Sequence, residues 1–249
     1  MAVMLTLILV LGAFIGWCVL QDHKRFQSHL NEHNLRLVGL GTYVFAETFE
    51  TFPPSEGFNR AMAELPIEKR LSWLAAVLSF VGQPEAPFVE FEYEEAWDGP
   101  KNRLATGLTV DFFQNPALPG FGPTNGTHYV GIAGIGADAA KLPSDDPKAG
   151  VLGYGRSTPI DGIPDGATRT LLMLSISAKA GPWGQAGPST LRGLSQQPYV
   201  GGPDGFGSER PGVYALMADG TARFIDKDVD PKVLEAMATK AGNEAFVKP

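Results

Sequence analysis

MAVMLTLILVLGAFIGWCVLQDHKRFQSHLNEHNLRLVGLGTYVFAE, residues 1–47, is the stretch on which the fold turns. Its first half, Met1 to Leu20, carries no charge; its second half is charged, with apolar residues at helical spacing and no Pro between the halves. We read it as one continuous helix. Ala2 to Leu20 is interrupted only by Thr6, Gly12 and Gly16. At about 1.5 Å per residue this run covers roughly 28 Å, close to the hydrocarbon thickness of a bilayer. A cleaved signal peptide would need a basic residue before the run and an Ala-x-Ala site after it, and neither is present. Cys18 is not a lipidation site of the usual kind, because Trp17 stands where a small residue is needed. Residues 1–20 are therefore expected to be a transmembrane anchor and 21–47 the amphipathic continuation of its helix. In that continuation Phe26, Leu30, His33, Leu37, Leu40 and Val44 follow spacings of four and three, which predicts one apolar stripe facing a folded domain.

Beyond the helix, residues 48–249 are long enough for one globular domain with its own core. The chain contains 30 Gly and 20 Pro, a fifth of its length, which favours a loop-rich β or α+β domain over a bundle. A formal net charge of −7 without a basic stripe argues against nucleic acid as a partner. The single cysteine excludes an intrachain disulfide and a thiolate metal site. Lys24 and Arg25 follow the apolar run and nothing basic precedes it, so by charge alone the domain would stay in the cytoplasm.

Thr51-Phe52-Pro53-Pro54 ends the long helix, since Pro cannot continue it. A second helix is predicted from Pro66 to Gly82, with Ile67, Leu71, Leu74, Leu78 and Val81 inward and Trp73 beside them. Phe88 to Tyr93 alternates apolar and acidic residues and predicts a strand, as do Leu108–Phe113, Thr127–Ile135 and Leu171–Ile176. Val213–Ala218 and Thr221–Asp226 flank Asp219-Gly220 and predict a hairpin with a two-residue turn. That turn pairs Met217 with Ala222 and Ala215 with Phe224 and puts all four on one face. Asp230 as N-cap and Pro231 at the first position open a last helix with Val233, Leu234 and Met237 inward, stopped by Gly242.

Chemistry is harder to find. There is no P-loop, no dinucleotide-binding glycine spacing and no Gly-x-Ser-x-Gly elbow. His29 and His33 are an i, i+4 pair but lack the Glu a zinc-protease helix places after the first His. His128 is the one domain histidine, and no serine beside it looks like a nucleophile. Glu90 and Glu92 on one strand face read as a solvated edge rather than a cation site, and the Asp-Gly pairs read as turns. No catalytic, cofactor-binding or metal-binding residues are assigned.

The ordered motifs resemble a bacterial prepilin-like family of unknown function. Its members carry a type IV pilin-like N-terminal helix, an extracytoplasmic β-rich domain and a C-terminal signature of His, nine residues, then Asp-Gly. The helix exit at Phe52, Pro53 and Pro54, Trp73 of the second helix and the Trp97-Asp98-Gly99-Pro100 loop are similar to family segments. So are the strand from Tyr129, the Asp165-Gly166-Ala167-Thr168 segment, Trp183, and the hairpin Asp219-Gly220 running to Phe224. Four positions depart from the pattern. Glu209 stands where the signature His would fall, Asn115 in place of a Cys, Ser175 in place of an acid, and Leu9 where a prepilin site has its Glu.

The resemblance implies an α+β, pilin-like fold: a long N-terminal helix packed on an antiparallel β-rich domain with a C-terminal helix. It implies a domain outside the cytoplasm on a single-pass anchor, against the Lys24–Arg25 signal. The expected function is a non-enzymatic, pilin- or pseudopilin-like structural or assembly role in the cell envelope or secretion. The membrane and other envelope proteins are the expected partners. Without the Glu at position 9, the subunit is expected to stay fixed rather than polymerise. The alternative is an anchored binding module, with carbohydrate stacked on an exposed Trp97 or Trp183, although the burial habits of Trp favour core or loop packing for both.

Overall fold

The structure, a computed structural model, describes the backbone of residues 2–54, 64–82 and 90–242, with side chains from Val10 onward. Helix α1 is one uninterrupted element, Ala2–Phe49, of 48 residues. It ends where Glu50 turns into the left-handed region (φ 59°), a conformation that closes helices, and Thr51 then bridges to Pro159. From Val10 to Leu20 its apolar side chains stand more than half exposed, Cys18 apart. Among the described residues no helix is long and apolar enough to cross a membrane. Residues 2–9 of the expected 2–20 span lie outside the described side chains.

From Asn31 onward α1 is the spine of the domain. Its buried residues are Asn31, Asn34, Leu35, Val38, Gly39, Gly41, Thr42, Phe45 and Ala46. The stripe expected to face the domain does not: Phe26, Leu30, Leu40 and Val44 are all exposed, Phe26 by 64 %. The period is right and the phase is wrong. Asn31, Asn34, Val38 and Phe45 follow a stripe position by one residue and Leu35, Thr42 and Ala46 by two, so the buried face is turned by at least about 100° around the helix. Glycines make this face fit. A Cβ at Gly39 would lie 3.2 Å from the Gly220 carbonyl oxygen, and one at Gly41 would lie 2.8 and 2.9 Å from Val81 and Val77.

Against α1 packs a five-stranded mixed sheet, in the order β3-β1-β2-β4-β5, made of β1 Tyr129–Ile135, β2 Leu171–Ser175, β3 Leu191–Leu194, β4 Gly212–Met217 and β5 Ala222–Asp226. β3, absent from the sequence expectation, pairs with β1 in parallel; the other neighbours are antiparallel. The sheet is therefore mixed, not antiparallel throughout. One face meets α1, Trp73, Phe113 and Trp183 in the larger core. The other meets Tyr199, Phe206 and helix α4, Pro231–Ala238, through Leu234 and Met237. Asp230 caps α4 as expected, its carboxylate accepting from the Lys232 amide at 2.9 Å; the helix ends at Ala238, short of Gly242.

The second helix begins later than Pro66. Residues Ile67–Lys69 form a single 3-10 turn, Leu71 is extended against Gln185, and Ser72 caps α2, Trp73–Leu78, all six residues of which are buried. A four-residue α3, Arg103–Thr106, follows the Trp97 loop. Leu108–Phe113 is not a strand: Asp111–Phe113 is a 3-10 turn that buries both phenylalanines. Of the strand expected at Phe88–Tyr93, residues 88–89 lie outside the described residues and 90–93 are irregular, with Glu92 bound to Lys101 at 3.0 Å.

The hairpin exists in a different register. Leu216 faces Ala222, Ala215 faces Arg223 and Tyr214 faces Phe224. The cause is the turn. The Gly220 amide donates to Met217 O at 2.9 Å and Met217 N to Thr221 O at 2.9 Å, with Gly220 at φ 81°. This is a three-residue loop, a type I turn closed by a left-handed glycine, not a two-residue turn. The one-residue slip sends Phe224 and Tyr214 to the α1 face, and Met217 and Ala215 to the opposite one.

Candidate functional site

The residues singled out in the sequence fall into three places. Asp165, Gly166, Asp219 and Gly220 meet at the hairpin end. The Asp219 carboxylate accepts from Thr221 N at 2.9 Å and from its hydroxyl at 2.6 Å, fixing the turn. The Asp219 and Ala218 amides donate to Ala167 O and Thr170 O, and Asp165 accepts from the Gly242 amide at 2.8 Å. Gly166 takes φ 90°, open to glycine far more readily than to other residues. This end of the hairpin is the one Gly39 of α1 rests on.

Trp73, Trp97 and Trp183 belong to the second place, the packing beneath α2. Trp73 donates its ring N–H to Thr190 O (2.9 Å), Trp183 to Leu108 O (2.8 Å) and Trp97 to Glu68 O (2.9 Å). Trp73 and Trp183 are fully buried and Trp97 is half-buried against the core, so Trp97 and Trp183 both pack as their type favours, and the sugar platform of the alternative reading does not exist at Trp183 and is largely covered at Trp97. Phe52 is buried, its amide bonded to Thr158 O at 2.8 Å, with Pro53 buried and Pro54 half-buried after it.

Tyr129 and Phe224 mark the third place, which the sequence did not reveal as a site. Beneath α1 lies a connected polar network. The Tyr129 hydroxyl donates to Asn31 Oδ1 on α1 and contacts Gln114 O at 3.2 Å. Asn34, also on α1, donates to Gln114 O at 3.0 Å. Glu209 accepts from the Tyr214 hydroxyl (2.8 Å), Asn115 Nδ2 (2.9 Å) and the Ser28 hydroxyl of α1 (3.3 Å). The Asn115 amide donates to His128 Nδ1 at 2.7 Å, and Ser175 Oγ accepts from the Tyr214 amide at 2.9 Å while donating to Gly207 O. The three departures within the domain, Asn115, Ser175 and Glu209, thus come together. The one signal that could have located them was the Asn31/Asn34 pair, two amides a single turn apart on a helix otherwise read by its apolar residues.

The chemistry of this network is that of a clamp. Burial, then the Glu209 charge, holds the Tyr129 hydroxyl protonated well above its usual range. Burial also lowers the His128 pKa, against the raising effect of its backbone partners. His128 Nδ1 accepts a backbone N–H and its Nε2 meets Phe121 O at 2.8 Å, which fixes the Nε2–H tautomer and occupies both nitrogens. Arg210 lies with its guanidinium 3.5 Å from the Phe224 ring centroid. Next to Glu209, where α1 leaves the domain, an open cavity of about 580 Å³ is lined by Lys24, Arg25, Ser28 and Arg210 among others.

A second cleft, of about 500 Å³, lies beyond β3 between Lys141, Tyr154, Lys179 and Arg192. Arg192 is half-buried there; desolvation lowers its pKa to about 10, partly offset by Asp204. Its donors are taken by Pro188 O, Asp204 O and Lys179 O, and Lys179 sits at φ 61°. Asp204 in turn accepts from the Ser195 and Gln196 amides at 2.7 and 3.0 Å. Among the described residues no group of three or more His, Cys, Asp or Glu could hold a metal ion.

An α+β domain built around a 48-residue N-terminal helix, with a polar clamp under that helix, is the class these observations define. The chain belongs to a family of proteins of unknown function (DUF1559), whose model matches residues 31–182. The match begins at Asn31, the first buried residue of α1 in the described chain, and stops before the hairpin and Glu209. No curated protein and no solved structure matches the chain.

Proposed function

We propose that this protein is a membrane-anchored, non-enzymatic, pilin-like component of the cell envelope, with its domain outside the cytoplasm and a structural or assembly role. The observation that carries the proposal is the division of α1. Between Val10 and Leu20, seven large apolar side chains are each more than half exposed. Leaving them in water forfeits on the order of 10 kcal/mol of transfer free energy, which a bilayer supplies. From Asn31 the same helix is the domain's spine, so membrane and domain are joined without a hinge. The polar clamp fits this role: Asn115, Ser175 and Glu209 stand where the prepilin-like pattern has Cys, an acid and His, and together they tie α1 to the sheet. Leu9, in place of a prepilin Glu, favours a subunit that stays where it is inserted.

The test is fractionation and protease access in a bacterial host. The full chain should resist alkaline extraction from membranes, and the domain should be digested only after the outer barrier is opened. A chain recovered in the soluble fraction, or a domain protected until the inner membrane is broken, would sink the proposal. A second reading, an anchored binding module, is favoured by the 500 Å³ cleft at Arg192, not by the tryptophans. Loss of binding in Arg192→Ala, from a ligand screen on the intact domain, is its test.

A further inference from the structure

The stripe that fails to meet the domain is itself regular. Phe26, Leu30, His33, Leu37, Leu40 and Val44 step by four and three without a break, the spacing of alternating a and d positions in a coiled-coil heptad. All are exposed except Leu37, which is half-buried. The same alternation runs on toward the N-terminus through His23, Val19, Gly16 and Gly12, every one exposed. Gly12 and Gly16 form a small-xxx-small pair in phase with the stripe, and a Cβ at either would meet nothing. In a helix that lies in lipid, such a pair lets a second backbone approach closely. Two independent features, one apolar and one of small residues, therefore mark a single line along one helix.

The domain leaves this line free except at Leu37, which packs on the edge of the larger core. Its contacts are on the residues one and two positions later, from Asn31, Asn34, Leu35 and Val38 to Gly41, Thr42, Phe45 and Ala46, at least about 100° away. We propose that α1 pairs with α1 of a second copy of this chain, parallel and in register, along the line from Gly12 to Val44. Parallel polarity rests on the anchored reading above, because two copies inserted in one membrane present their helices in the same direction. The charges on the flanks do not oppose it, although one flank, at Gln27, Asn34 and Gly41, lies against the domain. The positions beside the line from Gln27 to Tyr43 carry no acidic residue, and the one Arg among them, Arg36, is paired within its own helix to Glu32 at 3.7 Å. His23 and His33 are the polar members of the seam, and a polar residue at a core position fixes register more than it adds stability. The apolar stretch from Phe26 to Val44 spans only about 27 Å. The pairing is accordingly a membrane-assisted one, in which anchoring raises the effective concentration of the partner.

Cysteine cross-linking of the full chain in membranes tests this. The chain has one cysteine, so Cys18→Ser gives a clean background. Single cysteines are then placed at Leu30, Val44 and, off the line, Glu32. All three positions lie outside the fully buried face, so the fold is not at stake. In a parallel pair, equivalent seam residues come within the roughly 4.4–6.8 Å Cα separation a disulfide requires. The expected result is Leu30–Leu30 and Val44–Val44 cross-linking at least tenfold faster than Glu32–Glu32. Equal rates at all three sites, no cross-link at either seam site, or Leu30–Val44 cross-links in mixed samples would each overturn the proposal. Flotation of the same samples with vesicles separates the two readings: a chain that floats but does not cross-link refutes the pairing alone, and one that does not float refutes the anchor.

Discussion

Replacing Glu209 by Ala is the perturbation that best isolates the clamp. The carboxylate accepts three hydrogen bonds, from Tyr214 Oη at 2.8 Å, Asn115 Nδ2 at 2.9 Å and Ser28 Oγ at 3.3 Å. Bonds to an ionised acceptor contribute about 1.5–3 kcal/mol each when water is excluded. Here the cavity at the neck of α1 opens onto Glu209, so water replaces part of what is lost, and the long Ser28 contact adds little. Counting the two short bonds at the low end gives about 2–3 kcal/mol. For a domain of this size that lowers Tm by roughly 5–10 °C. Glu209→Gln should cost only about 1 kcal/mol, because its amide oxygen can still accept from Asn115 while the tyrosine and serine hydroxyls rotate to accept from the new NH2. Asn115 cannot adapt in the same way: its Oδ1 is held by the Ala117 amide at 2.9 Å. A double-mutant cycle with Asn115→Ala, followed by tryptophan fluorescence in denaturant, should therefore return a coupling of about 1–2 kcal/mol. If the two substitutions are additive within about 0.5 kcal/mol, Glu209 does not hold Asn115, and the clamp as described is wrong.

Three further outcomes are expected. His128 has its pKa lowered by burial, so the folded state binds a proton less tightly than the unfolded one; its contribution is full above about pH 6.5 and declines as pH falls below that value. The slope of stability against pH on the acid side should flatten in His128→Gln, and an unchanged slope would refute the assignment. Gly41→Val forces a side chain into Val77 and Val81 and should destabilise by about 1–3 kcal/mol in thermal melts. Gly134→Ala should cost more, about 3–5 kcal/mol, since φ is 117° and a Cβ would lie 2.0 Å from Lys148 O; soluble, wild-type-like protein would contradict it.

The sequence was most legible where one local rule governs. The length of α1, the cap at Asp230, and strands β1 and β2 follow from hydrophobic runs, a capping residue and a Pro at the first helical position. Expectation failed where two rules compete. At Asp219-Gly220 both a two-residue and a three-residue turn suit the residues, and the choice is made by tertiary contact: the Asp219 and Ala218 amides bond to Ala167 O and Thr170 O. At Leu108–Phe113 the alternation of a strand gives way to a 3-10 turn because both Phe112 and Phe113 are needed in the core. β3 was invisible because Leu-Arg-Gly-Leu is too short and too polar to signal a strand; its partner β1 creates it. The tryptophans follow the burial habit of their type, while the buried carbonyl partners their ring N–H groups find are announced by no linear pattern.

The phase error on α1 has a physical cause that links the fold to the proposed pairing. Apolar periodicity identifies the faces a helix can bury in oil-like surroundings, but it does not say which of two candidate faces a given domain takes. Here the domain takes the face with Asn31, Asn34, Gly39, Gly41 and Thr42. It can do so because β1 offers Tyr129 Oη and the 3-10 turn at Asp111–Phe113 offers the carbonyls of Asp111 and Gln114 as partners, while Gly39 and Gly41 let the helix close on Gly220 and on Val77 and Val81. Hydrogen bonds in a buried site are directional, so this face fixes the rotation of α1 about its axis more tightly than leucines would. The rotation, in turn, is what aims Phe26, Leu30, Leu40 and Val44 away from the domain. Substituting Asn34→Leu would remove the donor to Asp111 O and Gln114 O and let the helix roll. Seam cross-linking at Val44 should then fall toward the Glu32 level even though no seam residue has changed. Unaltered cross-linking in Asn34→Leu would show that the polar face does not set the helix rotation.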